Sequence, residues 1–192
     1  MRLFVAVELG EDVQQTAGRA IEQLERRRAQ SSPHARVSWV KPGNLHVTVR
    51  FIGGAEEDLT RRIIAALAAP IPVPPFELTV AGTGTFPPRR PPRVIWAGLT
   101  NGLNPLQSLA REVHARVEQL APAGDERDYH PHVTLGRVKN PTGLRQAVLL
   151  EGLEDTVFGI VQVGAVTLFE SRPSPAGATY VALARSRLGQ TT

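Results

Sequence analysis

The 192-residue chain is 42% hydrophobic, carries a formal net charge of +4 and contains no cysteine. A chain of this length can bury a core as one domain or as two small lobes, and no apolar run in it is long enough to cross a bilayer. The lack of cysteine excludes disulfides, thiolate catalysis and cysteine-based zinc sites. The N-terminus lacks the apolar core and cleavage site of a signal peptide, so the expected compartment is the cytoplasm.

Arginine carries almost all of the positive charge, because Lys41 and Lys139 are the only lysines. Arginine is the side chain best suited to bidentate contacts with phosphate, and its abundance fits a polyanionic partner such as RNA. A GC-rich genome would enrich a chain in arginine, alanine, glycine and proline in the same way. Charge alone therefore does not separate a nucleic-acid partner from an ordinary basic surface.

The first half of the chain alternates strands with helices. Apolar residues recur at helical spacing over Glu11–Ala29 and again over Ala55–Ala69, where Pro70 ends the pattern. The turn-forming run Lys41–Asn44 separates two β-type runs. The strands predicted in this half are Arg2–Glu8, Arg36–Val40, Leu45–Ile52 and Phe76–Val80, followed by a turn at Gly82–Thr85.

The second half repeats this alternation after a proline-rich basic loop. The prolines of Pro87–Arg93 fix φ and remove donors, which excludes a helix or a central strand; the segment is either a flap over RNA phosphates or a plain exposed loop. Helical spacing predicts helices over Leu103–Leu120 and Pro141–Leu150. The predicted strands are Val94–Gly98, Pro131–Val138, Val161–Glu170 and Ala178–Ala184. The two halves resemble each other, which indicates one internally duplicated α+β unit with two lobes spanning residues 1–192.

One phrase, His-Val-Thr followed by an aliphatic residue, occurs in each half, at His46–Val49 and at His132–Leu135. Side chains alternate faces along a strand, so each phrase places an imidazole and a hydroxyl on one face and two apolar residues on the other. A single copy would be typical of an ordinary half-exposed strand. Two copies in matching contexts, in a chain with only 5 histidines, indicate a site that surrounds one small anion.

The two phrases carry the groups needed for displacement at phosphorus. Near neutral pH one histidine can be protonated while another is neutral, so His46 and His132 can act as general acid and general base in either assignment. Thr48 and Thr134 can donate to a phosphate oxygen and stabilise the developing charge. With a strained cyclic phosphodiester as substrate, this chemistry needs no metal, no other cofactor and no covalent intermediate.

Three neighbouring side chains bear on substrate binding. Arg50 shares the strand parity of His46, so we expect it to face the groove and bind substrate. Arg137 has the opposite parity and reaches the groove only if its strand ends or bulges there. Phe51 lies off the groove face and is expected in the core.

A metal site is the alternative interpretation of the second phrase. His130 and Asp128 share the parity of His132, and His46 could supply a further ligand. Such a metal hydrolase would lose its activity when a chelator is added. We prefer acid–base catalysis because a metal site would leave the two threonines without a role.

Beyond this chemistry, the run Trp39–Gly53 together with Pro131–Arg137 resembles the two-histidine phosphoesterase superfamily. More specifically, it resembles the bacterial and archaeal RNA 2′,3′-cyclic phosphodiesterases, historically called 2′-5′ RNA ligases. The opening Arg2–Val7, the run Val94–Trp96 and the stretch Leu168–Tyr180 are similar to the same family, so the resemblance spans nearly the whole chain. It implies two pseudo-symmetric α+β lobes, each an antiparallel sheet with helices packed on its outer face, and an active-site cleft between them.

The resemblance also implies the role of each site residue. The proton donor falls on His46 and the proton acceptor on His132, while Thr48 and Thr134 match the phosphate-holding positions and Arg137 matches a phosphate- or RNA-contacting one. The implied reaction opens a terminal 2′,3′-cyclic phosphate of RNA to a 2′-phosphate, and its reverse joins ends through a 2′-5′ bond. The expected partner is RNA with a cyclic-phosphate end, such as a tRNA fragment, bound by a monomer that does not associate with membranes.

Two other functions stay open at this point. The same chemistry could act on a smaller cyclic phosphate, such as an ADP-ribose cyclic phosphate or a cyclic nucleotide, and only a length series of substrates would separate the two. A catalytically idle RNA-binding module would hold cyclic-phosphate ends tightly without turnover.

Overall fold

The computed structural model describes residues 1–88, 91–122, 129–174 and 177–189. Its strands are β1 (Arg2–Glu8), β2 (Arg36–Trp39), β3 (His46–Gly54), β4 (Phe76–Phe86), β5 (Val94–Asn101), β6 (Val133–Asn140), β7 (Val157–Val163), β8 (Ala165–Arg172) and β9 (Thr179–Arg187). Its α-helices are α1 (Glu11–Ser31), α2 (Glu57–Ala66), α3 (Leu103–Val117) and α4 (Gln146–Leu150). The pairs between these strands are antiparallel, and the α+β class predicted from the sequence is confirmed.

The strands form one sheet with the order β7-β4-β5-β6-β3-β1-β8-β9, and β2 pairs with β6 off this path. The two strands that carry the His-Val-Thr phrases, β3 and β6, meet through a single residue pair, Val47 with Val133. By contrast, β3 pairs with β1 through seven residue pairs and β6 with β5 through four. The two antiparallel sheets expected from the sequence are therefore two halves of one sheet, joined at this valine pair, which we call the seam.

The two halves of the sheet share a strand–helix–strand succession. In one half, β1 leads through α1, and then through β2 and the 3₁₀ turn Pro42–Asn44, to β3, and in the other β5 leads through α3 to β6. In both halves the motif strand pairs antiparallel with the strand that precedes the helix.

The helices cover the face of the sheet opposite the histidines. The apolar stripes of α1 and α3 belong to the same buried cluster as the valines of the seam, and burying each valine, leucine or isoleucine among them contributes about 1.5–3 kcal/mol. No described helix has the length and apolar character needed to span a membrane. The stripe residues are Val13, Ala17, Ala20, Ile21 and Leu24 in α1, and Leu106, Leu109, Val113 and Val117 in α3.

One predicted strand is wrong because the chain changes partners within it. The run Val161–Glu170 belongs to two strands, β7 and β8, with Gly164 between them. β7 pairs with β4 in one half of the sheet, whereas β8 pairs with β1 in the other. Periodicity could not reveal the break because both strands are apolar, β-branched runs.

The turn predicted at Gly82–Thr85 is also wrong, since β4 continues through it to Phe86. A Cβ at Gly84 would lie less than 3.0 Å from three atoms of the Trp96 indole. Trp96 contacts the Phe86 ring with centroids 5.2 Å apart, and Phe86 in turn meets the His132 ring edge-on at 5.2 Å. Gly84 thus makes room for an aromatic stack that ends at a histidine of the candidate site.

We expect Gly84→Ala to lower the free energy of unfolding by about 1–3 kcal/mol, because the added methyl group overpacks the strand against Trp96. Urea denaturation measures the change. Gly54→Ala is the matched control, since a Cβ at this strand glycine meets no atom within 4 Å. Equal stability of the two variants would contradict the close packing described for Gly84.

Candidate active site

The antiparallel register at the seam brings the two phrases together. Val47 pairs with Val133, so the residue before one valine lies across from the residue after the other. His46 therefore lies opposite Thr134, and Thr48 lies opposite His132. The sheet places each histidine beside the threonine of the other phrase, on the face away from the buried valines.

Both imidazoles are held by the same backbone device. The Nδ1 atom of His46 lies 2.7 Å from the carbonyl oxygen of Asn44, and Nδ1 of His132 lies 2.8 Å from that of His130. A carbonyl oxygen only accepts hydrogen bonds, so each Nδ1 carries a proton and donates it. Nε2 is then the ring atom that can exchange a proton with a ligand.

Aromatic rings pack around both histidines. His46 lies 4.9 Å from the Phe4 ring and 5.3 Å from the Tyr180 ring, centroid to centroid, and Phe86 packs edge-on against His132. Burial is the main cause that lowers the pKa of both histidines, and the positive charge of Arg137 lowers both further, against the opposing effect of the two backbone hydrogen bonds. The neutral form of each ring is favoured in the free protein.

Matching β-bulges follow the two phrases. Val49 in β3 has no opposite residue on β1, and Leu135 in β6 has none on β5; each residue lies three positions after its histidine. A bulge inserts one extra residue and so reverses the alternation of side chains beyond it. Phe51 and Arg137 consequently turn to the histidine face, whereas Arg50 turns to the opposite face.

From the sequence, Arg137 was expected to reach the groove only if its strand ended or bulged there. The bulge in β6 fulfils this condition. Arg137 is exposed and lines a pocket of about 720 Å³ together with His46 and Thr48. His132 and Thr134 lie at the seam beside this pocket and are not among the residues that line it.

Phe51 and Arg50 differ from their predictions for the same reason. Phe51, expected in the core, is 59% exposed and lines the pocket. Arg50, expected to face the groove and bind substrate, is only 9% exposed and donates to the Glu118 carboxylate at 3.1 Å and to the Ala121 carbonyl at 3.2 Å. Both predictions are wrong, and Arg50 instead ties the bulge of β3 to the segment at the end of α3.

The metal-site alternative involves His130 and Asp128 beside His132. His130 is exposed, and its backbone carbonyl accepts the hydrogen bond of His132 Nδ1. Within residues 1–88, 91–122, 129–174 and 177–189, no group of three histidine, cysteine or acidic side chains is placed to hold a metal ion. Asp128 lies outside the described residues. Arg89 and Arg90 also lie outside them, in the loop Pro87–Arg93 for which a flap over RNA phosphates was one interpretation.

Sequence patterns missed a tyrosine that bridges the two halves at the site. The Tyr129 hydroxyl donates to the backbone carbonyl of Thr48 at 2.9 Å. The β3–β6 pairing is limited to the seam, so a side chain supplies this cross-link where the strands separate. A residue that makes a single contact of this kind leaves no periodic pattern in the sequence. The only sequence signal for Tyr129 is its position three residues before His132.

Residues 13–173 match a family model described as the 2′-5′ RNA ligase superfamily. The chain belongs to this superfamily. It is 34% identical over 190 residues to a protein of Methanothermobacter thermautotrophicus named RNA 2′,3′-cyclic phosphodiesterase, an alignment that covers 98% of this chain and 99% of that protein. A protein with the same name from Methanocaldococcus jannaschii is 30% identical and covers 94% of this chain and 96% of its own length.

Solved structures with the same fold match the chain over nearly its whole length. A crystal structure of a Thermus thermophilus protein superimposes with a TM-score of 0.77 at 29% identity, covering 100% of both chains. The E. coli LigT structure in complex with 3′-AMP gives a TM-score of 0.72 at 25% identity and covers 98% of both chains. The family resemblance found in the sequence is confirmed.

We expect Arg137→Gln to raise the pKa of both His46 and His132, because it removes a positive charge that disfavours their protonated forms. NMR titration of the imidazole Cε1 protons measures both values. The control is Arg26→Gln, which removes an exposed charge from α1 and is expected to leave both titrations unchanged. A titration of either histidine that does not respond to Arg137→Gln would contradict the electrostatic contact.

Proposed function

We propose that this protein hydrolyses the terminal 2′,3′-cyclic phosphate of RNA to a 2′-phosphate by metal-independent acid–base catalysis, and that the reverse reaction joins ends through a 2′-5′ bond. The observation that carries the proposal is the pair of histidines with Nδ1 bound to a backbone carbonyl, meeting across the seam. The names of the full-length relatives support the substrate class.

Each proposed catalytic group acts on one bond of the cyclic phosphodiester. Nε2 of neutral His132 takes a proton from water, whose oxygen attacks phosphorus. The bond between phosphorus and O3′ breaks as protonated His46 gives its Nε2 proton to O3′, and the phosphate remains on O2′. Histidine protonation is restored by exchange with solvent. The family resemblance assigns these two roles, because the local geometry of the two histidines is nearly the same.

The remaining polar groups hold the phosphate in this reaction. Thr48 and Thr134 donate from their hydroxyls to non-bridging oxygens, and the guanidinium of Arg137 adds a bidentate contact. These donors face the charge that develops as water adds to phosphorus.

The lowered histidine pKa values fit a site that acquires its proton together with its substrate. A neutral His132 is ready to act as a base, whereas His46 must be protonated to act as an acid. A phosphodiester anion bound between the rings favours their protonated forms and so raises both pKa values. Substrate binding thus supplies the electrostatic partner that the free site lacks.

The pocket favours RNA over a small cyclic phosphate. Exposed Phe51 offers a face on which any nucleobase can stack. Four basic residues, Arg2, Lys41, Arg137 and Lys139, line the pocket, and no acidic residue is among the described residues of its wall. A length series of substrates separates the two possibilities. We further expect a single two-lobed unit acting as a cytoplasmic monomer, with RNA ends such as those of tRNA fragments as substrates.

We expect His46→Ala and His132→Ala each to lower kcat by at least about 100-fold, since each removes one proton-transfer group. The assay uses a short RNA with a 2′,3′-cyclic phosphate end in excess EDTA and identifies the terminal phosphate of the product. His34→Ala, at an exposed loop histidine, is the matched control and is expected to retain full activity.

Other outcomes of this assay identify the alternatives. Loss of wild-type activity in EDTA with recovery on adding metal would indicate a metal hydrolase. Binding of the RNA end without turnover in either condition would indicate a binding module.

We expect kcat/KM to follow a bell-shaped pH profile. The centre of the bell lies below about 6.5, the unperturbed pKa of histidine. Activity rises with pH as the base loses its proton and falls as the acid loses its own, and both pKa values are lowered in the free protein. The profile of kcat should lie at higher pH, because bound phosphate raises both values. Initial rates with saturating and limiting substrate measure the two profiles. A flat kcat/KM between about pH 5 and pH 9 would argue against two titrating histidines.

A further inference from the structure

Asn44 makes two hydrogen bonds that join His46 to a distant part of the chain. Its backbone carbonyl accepts the bond from His46 Nδ1 at 2.7 Å, and its side-chain Nδ2 donates to the backbone carbonyl of Ala178 at 2.8 Å. Ala178 lies 134 residues further along the chain, immediately before β9 at one edge of the sheet. One residue thus links the first histidine to the start of an edge strand.

The backbone that carries Asn44 is itself held in place. Asn44 is the last residue of the 3₁₀ turn Pro42–Asn44. Pro42 packs against α1 at Gly18, where an added Cβ would lie only 3.1 Å from the Pro42 Cγ atom. The turn therefore rests on the longest helix, and the Asn44 side chain extends from a fixed point toward Ala178.

The segment that Asn44 holds carries a ring in contact with His46. Tyr180 follows Ala178 by two residues, and its ring meets the His46 ring at 5.3 Å between centroids and 86° between planes. Phe4 contacts both rings, at 4.9 Å from His46 and 5.0 Å from Tyr180. An imidazole bonded at one atom can still tilt about that hydrogen bond. The neighbouring rings restrict this tilt, and with it the direction in which Nε2 points.

This arrangement distinguishes the two otherwise similar histidines. His130 occupies the matching position of the second phrase, two residues before His132, and its carbonyl holds the ring in the same way. The His130 side chain, however, is an exposed ring that lies 6.5 Å from Phe86. The amide of Asn44 and its bond to a remote segment therefore set His46 apart from His132.

We propose that Asn44 is a positioning residue for the proton donor, and that its side-chain bond to Ala178 keeps Tyr180 against the His46 ring. Substitution of Asn44 isolates this bond, because the backbone carbonyl that holds Nδ1 remains in every variant. The inference rests on the proposed function only for the role of His46 as the acid. The ring contact itself can be measured without substrate.

The first test observes the free protein by NMR. In Asn44→Ala we expect weaker cross-relaxation between the Tyr180 ring protons and the Cε1 proton of His46. The pKa of His46 should rise, since burial is the main cause that lowers it and a displaced Tyr180 admits water. The substitution leaves in place Arg137 and His132, the other groups that lower the pKa of His46. The pKa of His132 should not change.

Asn140→Ala is the matched control. The Asn140 side chain likewise donates to a backbone carbonyl that is remote in the sequence, that of His34 at 3.2 Å, but it lies outside the pocket wall described above. We expect this variant to leave the titrations of both catalytic histidines and the Tyr180 ring contact unchanged.

A second substitution at the same position separates the lost donor from the lost volume. Asn44→Asp keeps the size of the side chain but cannot donate to the Ala178 carbonyl, so it should also weaken the contact between Tyr180 and His46. A ring contact retained in both Asn44 variants would overturn the proposal. Equal pKa shifts of His46 and His132 in Asn44→Ala would overturn it as well, because they would indicate a general loosening of the site.

Kinetics measure the effect on catalysis. Asn44→Ala should lower kcat by about tenfold to a hundredfold with little change in KM, because a misplaced proton donor slows the chemical step while the phosphate-holding groups remain. In a Tyr180→Leu background the same substitution should add little, since both changes remove one contact. A loss confined to KM, or additive losses in the double variant, would contradict a role through Tyr180.

The two measurements keep this inference separate from the proposed function. If Asn44→Ala changes the ring contact and the His46 titration while the wild type turns over no RNA with a 2′,3′-cyclic phosphate end, the positioning role stands and the proposed hydrolysis fails. If the wild type hydrolyses that substrate and the substitution changes neither the ring contact nor kcat, the hydrolysis stands and the positioning role fails.

Discussion

The whole site depends on one residue pair, the contact between Val47 and Val133 that joins the halves of the sheet. An antiparallel pair has a local twofold axis, so this single contact sets each histidine beside the threonine of the other phrase. Beyond the valines the strands separate, and Tyr129 bonds the Thr48 carbonyl there in place of a neighbouring strand.

The two bulges convert this symmetric frame into an asymmetric site. Val49 and Leu135 interrupt their strands at equivalent positions, and the side chains two residues later turn to the histidines. One is aromatic, Phe51, and the other is cationic, Arg137. Under the proposed function, one half of the sheet offers a face for a base and the other a charge for a phosphate, and this difference orients a nucleotide between two otherwise similar phrases.

The sequence alone predicted the α+β class, the first three helices and the four groups around the seam, because these depend on periodicity and on the alternation of side chains along a strand. The predicted helix Pro141–Leu150 begins only at Gln146. It failed at Arg50 and Phe51, whose parity changes at a bulge. A bulge depends on which strand lies alongside, and no local pattern records that partner. The break at Gly164 was missed for the same reason, since the chain there passes from one half of the sheet to the other.

The electrostatics of the site join proton uptake to anion binding. Burial and the Arg137 charge lower the pKa of both histidines. The free site therefore holds the Arg137 cation beside two imidazole rings whose neutral forms are favoured. An anionic ligand reverses that preference by offsetting the fixed charge. Since linkage is reciprocal, a protonated ring binds the anion more tightly than a neutral one, to the same extent that the anion raises the pKa of the ring. In the proposed reaction the substrate therefore helps to create the acid that cleaves it, whereas burial, aided by the cation that holds the substrate, favours the neutral form of the free base.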